Sequence, residues 1–196
     1  MKVGLYFGSF NPIHMGHLQV AKYMLSHIPV EEVWFIPSPL NPHKVNDVLI
    51  PAELRLDWVK KAIANETNIH VNDVEFGLGL PSFTFRTVQT LYELHPDIQF
   101  SLIMGADNLP KFYTWQNAEE LSKQCPLHVY ARPGFENPPN PIPFNAIWHQ
   151  APLIDISATE IRNRIQENQP INEWVPEEII PDLLRFFHPT VVDFNQ

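Results

Sequence analysis

The sequence predicts an α/β fold built on a parallel sheet, and two observations carry this prediction. Short apolar runs alternate along the chain with segments in which apolar residues recur at helical spacing. Proline and glycine stand between these segments and mark the loops. Strands that alternate with helices favour a parallel sheet with right-handed crossovers. In such sheets ligands bind beyond the carboxyl ends of the strands, so we expect the functional site there.

Each predicted element rests on a local pattern. Apolar runs between turn-forming residues predict five strands, at 3–7, 33–36, 69–71, 100–104 and 127–130. Helical spacing, with start and stop signals, predicts six helices, at 18–28, 51–65, 84–94, 118–122, 159–168 and 177–187. The proline-rich stretch 132–144 is too short for a domain linker, so we expect a surface loop. We therefore expect one domain over 1–196, with a C-terminal helical segment at about 157–188.

Composition and charge exclude several classes of protein. The 196 residues are 44% apolar and 18% charged, which is a globular balance. A formal net charge of -9 argues against general nucleic-acid binding, which needs a basic face. Cys125 is the only cysteine, which excludes an intrachain disulfide and a cysteine-rich metal site. The N-terminus has no apolar signal segment and no run approaches the roughly 20 residues that span a membrane, so we expect a cytoplasmic protein.

The stretch GSFNPIHMGH, residues 8–17, follows the first predicted strand and leads into the first predicted helix. Its two histidines, His14 and His17, leave three interpretations open. A zinc site would need three or four ligands, and no nearby cysteine or H-E-x-x-H pattern supplies them. Histidines that pack in the core or cap a helix are common. A phosphate cradle explains more, because Gly8 and Ser9 let the backbone approach a ligand while the helix end and the imidazoles direct donors at it.

A second helix start lies in ISATEIRNRI, residues 156–165. Ser157 and Glu160 have the spacing of a capping box. That interpretation leaves Arg162 unexplained, because the helix dipole disfavours a cation in the first turn. An anionic ligand at the same helix end would reverse this penalty. The stretch therefore predicts a second anion-binding helix end.

Both stretches resemble motifs of one superfamily. GSFNPIHMGH is similar to the H-x-G-H signature of the nucleotidyltransferases, and ISATEIR is similar to the element with which they bind a triphosphate. Class I aminoacyl-tRNA synthetases carry a related histidine motif, but this chain is too short and too acidic for a synthetase. The resemblance implies a Rossmann-like nucleotidyltransferase fold, with a central parallel sheet, helices on both faces and a C-terminal helical segment.

The middle of the chain narrows the resemblance to the bacterial nicotinate-mononucleotide adenylyltransferases. Four further stretches are similar to motifs of that family and follow its order: NPHK at 41–44, PSFTFRT at 81–87, IMGADNLPKFYTW at 103–115 and YARPG at 130–134. Four residues depart from the family pattern. Glycine is common where Ser9 stands and aspartate where Asn11 stands, while tyrosine is usual in place of Phe83 and proline in place of Asn41. None of these departures removes a group that the chemistry requires.

The resemblance implies a role for each candidate residue. The residues that would make catalytic contacts with the phosphates are His14, His17, Lys44 and Arg162. The residues that would bind ATP are Gly8, Ser9, Phe10, Gly105, Asp107, Arg132, Ser157 and Thr159. The pyridine ring of the mononucleotide would lie between Phe83 and Trp115, with Thr84 donating to its carboxylate. No protein metal site is implied, because Mg²⁺ is normally held by phosphate oxygens and water.

The implied reaction joins nicotinate mononucleotide and ATP to give nicotinate adenine dinucleotide and pyrophosphate in NAD biosynthesis. The attacking phosphate is already ionised near pH 7, so catalysis would rest on positioning and charge stabilisation. Two alternatives stay open, an adenylyltransferase that prefers nicotinamide mononucleotide and a nucleotide-sensing module without turnover. Phosphopantetheine and cytidylyl transfer are disfavoured, because they give no use for PSFTFRT and Trp115. We expect ATP with Mg²⁺ and the mononucleotide as partners, and neither nucleic acid nor a membrane; homo-oligomerisation stays open.

Overall fold

The computed structural model describes residues 1–42 and 49–188. Within these ranges six strands form one sheet, and every neighbouring pair of strands is parallel. The strands are β1 Lys2–Gly8, β2 Glu32–Pro37, β3 Ile69–Val71, β4 Gln99–Gly105, β5 Leu127–Tyr130 and β6 Ile147–His149. Their order across the sheet is β3-β2-β1-β4-β5-β6. The predicted parallel sheet is confirmed, with one strand more than the sequence predicted.

The strand order reverses between β1 and β4. From β1 the chain moves outwards through β2 and β3, and it then crosses to the other side of β1 to build β4, β5 and β6. Strands β1 and β4 lie side by side, with Leu5 opposite Leu102 and Tyr6 opposite Ile103. Because the loops after these two strands lead away in opposite directions, they leave a crevice between them, which is where ligands bind in sheets of this kind.

Helices cover both faces of the sheet, as the sequence resemblance implied. Within the described ranges the α-helices are α1 Met15–His27, α2 Ala52–Ala62, α3 Thr84–Leu94, α4 Ala118–Gln124, α5 Ala158–Gln166 and α6 Ile180–Phe187. On one face α1, α2 and α6 contribute Met24, Trp58 and Leu183 to a common core. On the other face α3 and α4 contribute Leu91 and Leu121 to a second core. In residues 1–42 and 49–188 no helix combines the length and the apolar character that crossing a membrane requires.

The central strands are apolar without alternation because both of their faces are covered. In β2, Val33 and Phe35 belong to one core, while Trp34 and Ile36 belong to the other. A strand in this position buries successive side chains on opposite sides, so a continuous apolar run is what its environment requires. The run that predicted the strand therefore has a direct physical cause.

Some elements differ from the prediction. Strand β6 has only three residues and follows the proline-rich stretch, so it carries no periodic pattern that a sequence reading could detect. A 3-10 helix, Ala106–Thr114, follows β4 and contains Pro110, where the sequence indicated no regular element. Helix α2 ends at Ala62, three residues before the predicted end at 65. The last predicted helix begins as a 3-10 turn, Glu177–Ile179, before α6.

Candidate active site

A cavity of about 440 Å³ opens at the carboxyl ends of β1 and β4, where the strand order reverses. The last residues of these strands, Gly8 and Gly105, both line it. All predicted site residues within the described ranges lie on its wall: Gly8, Ser9, Phe10, His14, His17, Phe83, Thr84, Gly105, Asp107, Trp115, Arg132, Ser157, Thr159 and Arg162. Residues that are up to 154 positions apart in the chain are thus brought to one place, from Gly8 to Arg162.

The two histidines lie at the start of α1, directly after the loop that leaves β1. Their rings stack, with centroids 3.7 Å apart and planes inclined by 29°. His14 is the N-cap residue of α1, and its backbone N–H donates to Nδ1 of His17 at 3.3 Å. The capping interpretation is therefore correct as a description of geometry. It does not compete with the phosphate cradle, because both rings also line the cavity.

His14 carries no charge at neutral pH. Burial of the ring, together with the positive charge of Arg132, lowers the pKa of His14 to about 3. Within the part of the chain that the structure describes, its Nδ1 and the hydroxyl of Ser9 are buried without a hydrogen-bond partner. Such a group costs about 1–3 kcal/mol when it stays unpaired. The loop and helix start of the cradle therefore hold polar atoms whose hydrogen bonding is incomplete.

Gly16, the glycine between the two histidines, leaves room for the ring of His14. A Cβ atom at this position would lie 3.0 Å from both Cε1 and Nδ1 of His14, and 3.3 Å from Cγ2 of Ile154. These distances are shorter than ordinary van der Waals contacts, and a close-packed interior accommodates such an atom poorly. The ring of His14 can therefore occupy its position only because Gly16 has no side chain.

Helix α5 supplies the second helix end at the cavity. Oγ of Ser157 accepts a hydrogen bond from the backbone N–H of Glu160 at 3.1 Å, which confirms the predicted N-cap. Arg162 donates through Nη1 to the backbone oxygen of Asn11 at 2.7 Å and through Nη2 to Oγ1 of Thr159 at 3.2 Å. Because Asn11 belongs to the loop between β1 and α1, Arg162 ties the two helix starts together.

An ion pair stands at the end of β4. Nε of Arg132 lies 3.7 Å from Oδ1 of Asp107, and the same guanidinium interacts electrostatically with the phenol of Tyr130. The hydroxyl groups of Tyr130 and Tyr6 are 2.9 Å apart, and burial raises the pKa of both phenols, so they stay protonated. A Cβ atom at Gly105 would lie 2.5 Å from Oδ1 of Asp107 and 3.2 Å from Cγ of Arg132. The glycine that ends β4 thus makes space for this pair.

Two aromatic side chains and a third helix end border the same cavity. Phe83 is the N-cap residue of α3, and Thr84 is its first residue. This end has no side-chain cap within the described ranges and no acidic residue in its first turn. Trp115 follows the 3-10 helix after β4, and its ring packs on Phe112 with centroids 5.1 Å apart. An uncapped helix end beside aromatic rings offers both backbone donors and a stacking surface.

One predicted site residue lies outside the described ranges, and some wall residues were not predicted. Lys44 falls in the undescribed range 43–48, so its contact with phosphates stays a prediction. Among residues 1–42 and 49–188, no group of three or more histidine, cysteine, aspartate or glutamate side chains is placed to hold a metal ion. Tyr6, Tyr130 and Ser38 line the cavity although sequence reasoning did not select them. A signal was available for Tyr130 and Ser38, which lie at or just after the end of a predicted strand, whereas Tyr6 lies inside one.

Comparisons with known proteins point to one family. Residues 5–164 match the family model described as cytidylyltransferase-like. A protein of Cytophaga hutchinsonii named probable nicotinate-nucleotide adenylyltransferase is 41% identical over 179 residues, covering 91% of this chain and 93% of that protein. One of Porphyromonas gingivalis with the same name is 39% identical over 177 residues, covering 90% of each chain.

A solved structure shows the same fold. The nicotinic acid mononucleotide adenylyltransferase of Plasmodium falciparum, complexed with NaAD, matches with a TM-score of 0.76 and 21% sequence identity. The match covers 95% of this chain and 98% of that chain. At this identity the likeness speaks for the fold, whereas the relatives at 39% and 41% identity speak for the family. The chain therefore belongs to the cytidylyltransferase-like family and, within it, to the nicotinate-nucleotide adenylyltransferases.

Proposed function

We propose that this chain transfers the adenylyl group of ATP to nicotinate mononucleotide and releases pyrophosphate. The observation that carries the proposal is the shared cavity, in which His14, His17 and Arg162 lie on the same wall as Phe83 and Trp115. The first group suits a triphosphate, and the second suits a pyridine ring. The names of the relatives and the NaAD in the Plasmodium falciparum complex support the same pair of substrates.

The reaction needs in-line attack of a mononucleotide phosphate oxygen on the α-phosphorus of ATP. This oxygen is ionised near pH 7, so no strong general base is required. Negative charge then grows on the α-phosphate and on the leaving pyrophosphate, and it must be stabilised by fixed donors. His14 and His17 would donate imidazole N–H groups, since even a neutral imidazole keeps one donor. Arg162 and the start of α5 would hold the pyrophosphate.

We propose that Mg²⁺ enters with the triphosphate. Asp107 is the one carboxylate among the predicted site residues, and it is paired with Arg132. One exposed carboxylate suits a contact with the ribose or with a magnesium-bound water better than it suits a protein-held metal site. The net charge of -9 also favours small nucleotides over nucleic acid as partners. We also propose that the reaction takes place in the cytoplasm.

The uncapped start of α3 favours nicotinate over nicotinamide. Its first backbone N–H groups, which no side chain within the described ranges caps, and the positive end of its dipole would stabilise a carboxylate, whereas an uncharged amide gains less from them. Thr84, the first residue of α3, adds a hydroxyl donor on the same side. We therefore propose nicotinate mononucleotide as the preferred acceptor.

One assay tests the proposal. Purified protein is mixed with ATP, Mg²⁺ and either nicotinate mononucleotide, nicotinamide mononucleotide or phosphopantetheine, and pyrophosphate release is followed. We expect release with nicotinate mononucleotide at a kcat/KM at least about tenfold above that with nicotinamide mononucleotide, the scale of one charge-assisted contact. Faster release with the nicotinamide substrate would reverse the assigned specificity. ATP binding without release in any mixture would make the chain a nucleotide sensor.

A further inference from the structure

We infer that Arg55 is a positioning residue, which holds the phosphate-binding loops of the cavity in place without contacting the nucleotide. Arg55 is the fourth residue of α2, and its side chain is fully buried, with 0% exposed. It does not line the cavity. The inference rests on the proposed adenylyl transfer, because it concerns the geometry in which that reaction takes place.

The guanidinium of Arg55 donates hydrogen bonds to four backbone carbonyl oxygens. Nε donates to Ile50 at 2.8 Å, Nη1 to Ser38 at 2.8 Å and Nη2 to Pro39 at 2.8 Å. Nη1 donates in addition to the carbonyl of Ser9. These acceptors belong to three segments: the loop after β1, the loop after β2 and the approach to α2. Among side chains, only the planar fork of arginine has enough donors, in fixed directions, to join them.

No acidic partner within the described ranges explains the burial of Arg55. Within the described residues no carboxylate forms an ion pair with it. The acidic side chain that influences it electrostatically is Glu53, in the first turn of α2. A buried charge is costly, and an apolar residue of similar volume often serves a core equally well. Unlike an apolar residue, the arginine forms hydrogen bonds with three segments and so fixes their positions relative to one another.

The loop that Arg55 holds is the one that leads to the histidines. Ser9 lines the cavity, and two residues later Oδ1 of Asn11 accepts the backbone N–H of Ile50 at 2.9 Å. The carbonyl of Asn11 accepts from Arg162 at 2.7 Å. Arg55 therefore fixes the loop from the protein interior, while Arg162 contacts it from the cavity. His14 follows three residues after Asn11, so a shift of this loop would move the first imidazole.

The same buried network reaches the α3 side of the cavity. Glu75 is 2% exposed; burial raises the pKa of its carboxyl group, and the neighbouring hydroxyls of Ser38 and Thr87 act in the opposite direction. The hydroxyl of Thr87 donates to Oε1 of Glu75 at 2.8 Å. Thr87 lies in α3, whose start borders the cavity near Phe83. Buried polar groups thus follow one another from Arg55 through Ser38 and Glu75 to Thr87 in α3.

Three variants test the inference: Arg55→Met, Arg55→Lys and the matched control Leu91→Ala. Leu91 is fully buried in α3 and lies off the cavity wall, so its truncation lowers stability without touching the loops. All three are assayed well below their melting temperatures. We expect Arg55→Met to lower kcat about 100-fold, the scale on which a misplacement of about 1 Å costs rate. We expect Leu91→Ala to stay within about threefold of wild type, as for a change remote from the chemistry.

Arg55→Lys separates geometry from charge. Lysine keeps the positive charge and loses the planar fork, so we expect its kcat to lie closer to that of Arg55→Met than to wild type. A lysine variant with wild-type kcat would contradict the clamp, since charge alone would then suffice. Methionine and lysine variants that both match Leu91→Ala would contradict any role of Arg55 in positioning.

A measurement on the wild-type chain covers the case in which the variants do not fold. In NMR spectra of protein labelled with ¹⁵N at the arginine side chains, a clamped guanidinium gives separate, slowly exchanging Hη signals. We expect those of Arg55 to be resolved and to shift when a non-hydrolysable ATP analogue binds. Averaged Hη signals that do not shift when the analogue binds would overturn the inference. Because this readout needs binding and not turnover, it stays informative even if the pyrophosphate assay shows no transfer and the proposed function fails.

Discussion

His14 and His17 show how two neighbouring side chains of one type can differ in their environment. Their stacked rings are 3.7 Å apart, but His14 is buried at the helix start while His17 is half-buried beside the ring of Phe10. His14 is therefore suited to donate a hydrogen bond to a phosphate oxygen as a neutral group, with Arg162 and Arg132 supplying fixed positive charge.

Replacing His17 by alanine tests the role of the half-buried imidazole. If the ring stabilises the transition state, His17→Ala is expected to lower kcat by about 10²–10³, the range found when one donor to a developing oxyanion is removed. The matched control is His70→Ala, because His70 lies on β3 and is absent from the cavity wall. A kcat of His17→Ala within about threefold of that of the control would show that His17 does not stabilise the transition state.

The pKa of His14 makes the stability of the protein depend on pH. The unfolded side chain titrates near 6.5, and in the folded protein burial and Arg132 lower the pKa to about 3. The neutral ring therefore contributes its full stability above pH 6.5, and this contribution is lost as the pH falls towards 3. Through His14 alone, we expect wild type to lose about 2 kcal/mol of unfolding free energy between pH 7.5 and pH 5.

Urea unfolding at the two pH values isolates this effect. The variant His14→Gln lacks the titrating ring, so its stability is expected to fall less on acidification than that of wild type, by about 2 kcal/mol. Burial next to His149 lowers the pKa of His128 to about 4 and adds a similar slope, but both proteins share it. His70→Gln serves as the control and is expected to parallel wild type. Parallel curves for His14→Gln and wild type would show that His14 is not buried in its neutral form.

At the scale of the secondary-structure elements, the site consists of helix starts. Helices α1, α3 and α5 all begin at the cavity, with His14, Phe83 and Ser157 as their N-cap residues. Of these three starts, the capping pattern predicted only that of α5 in detail, because Ser157 and Glu160 follow a known local rule. The start of α1 uses a histidine as its cap residue, which propensity rules do not anticipate.

Gly16 in α1 allows stability and activity to be separated. Alanine in a helix is intrinsically favoured over glycine by about 1 kcal/mol, but here its Cβ would come 3.0 Å from the ring of His14. We expect Gly16→Ala to change the free energy of unfolding by less than about 1 kcal/mol while lowering kcat/KM at least about tenfold. The control is Gly77→Ala, because a Cβ at Gly77 would meet no atom within 4 Å. Equal activities of the two variants would show that the ring of His14 does not depend on Gly16.

The start of α3 allows the preference for nicotinate to be altered from outside the cavity. Arg86 is the third residue of α3, exposed, and absent from the cavity wall. Arg86→Glu places negative charge in the first turn, where it weakens the attraction for a substrate carboxylate by about 0.3–1 kcal/mol. We expect the ratio of kcat/KM for nicotinate over nicotinamide mononucleotide to fall about two- to fivefold. Arg86→Gln is the control for lost positive charge. An unchanged ratio of the two kcat/KM values in Arg86→Glu would show that the start of α3 does not contribute to carboxylate recognition.

At the scale of the whole molecule, the sequence could predict the parallel sheet and most of the cavity wall. The sheet prediction rests on local signals, namely apolar runs such as 33–36, whereas most of the wall residues were assigned through the resemblance of the motif-like stretches to one family. Arg55 could not be identified in this way, because its four acceptors are backbone carbonyls from three separate loops. The one local hint is that it lies one turn before Trp58 and Val59, on the buried face of α2. Contacts that arise only from the folded topology leave little trace in the residues themselves.

The central claim is that the mononucleotide phosphate attacks the α-phosphorus of ATP. An isotope-labelling experiment that follows the phosphate oxygen atoms tests this claim most directly. Nicotinate mononucleotide with ¹⁸O in its phosphate is incubated with ATP, Mg²⁺ and the protein, and the products are separated and weighed by mass spectrometry. We expect all of the label in the dinucleotide and unlabelled pyrophosphate as the leaving product. Release of AMP or ADP in place of pyrophosphate, or label in the pyrophosphate, would contradict adenylyl transfer at this site.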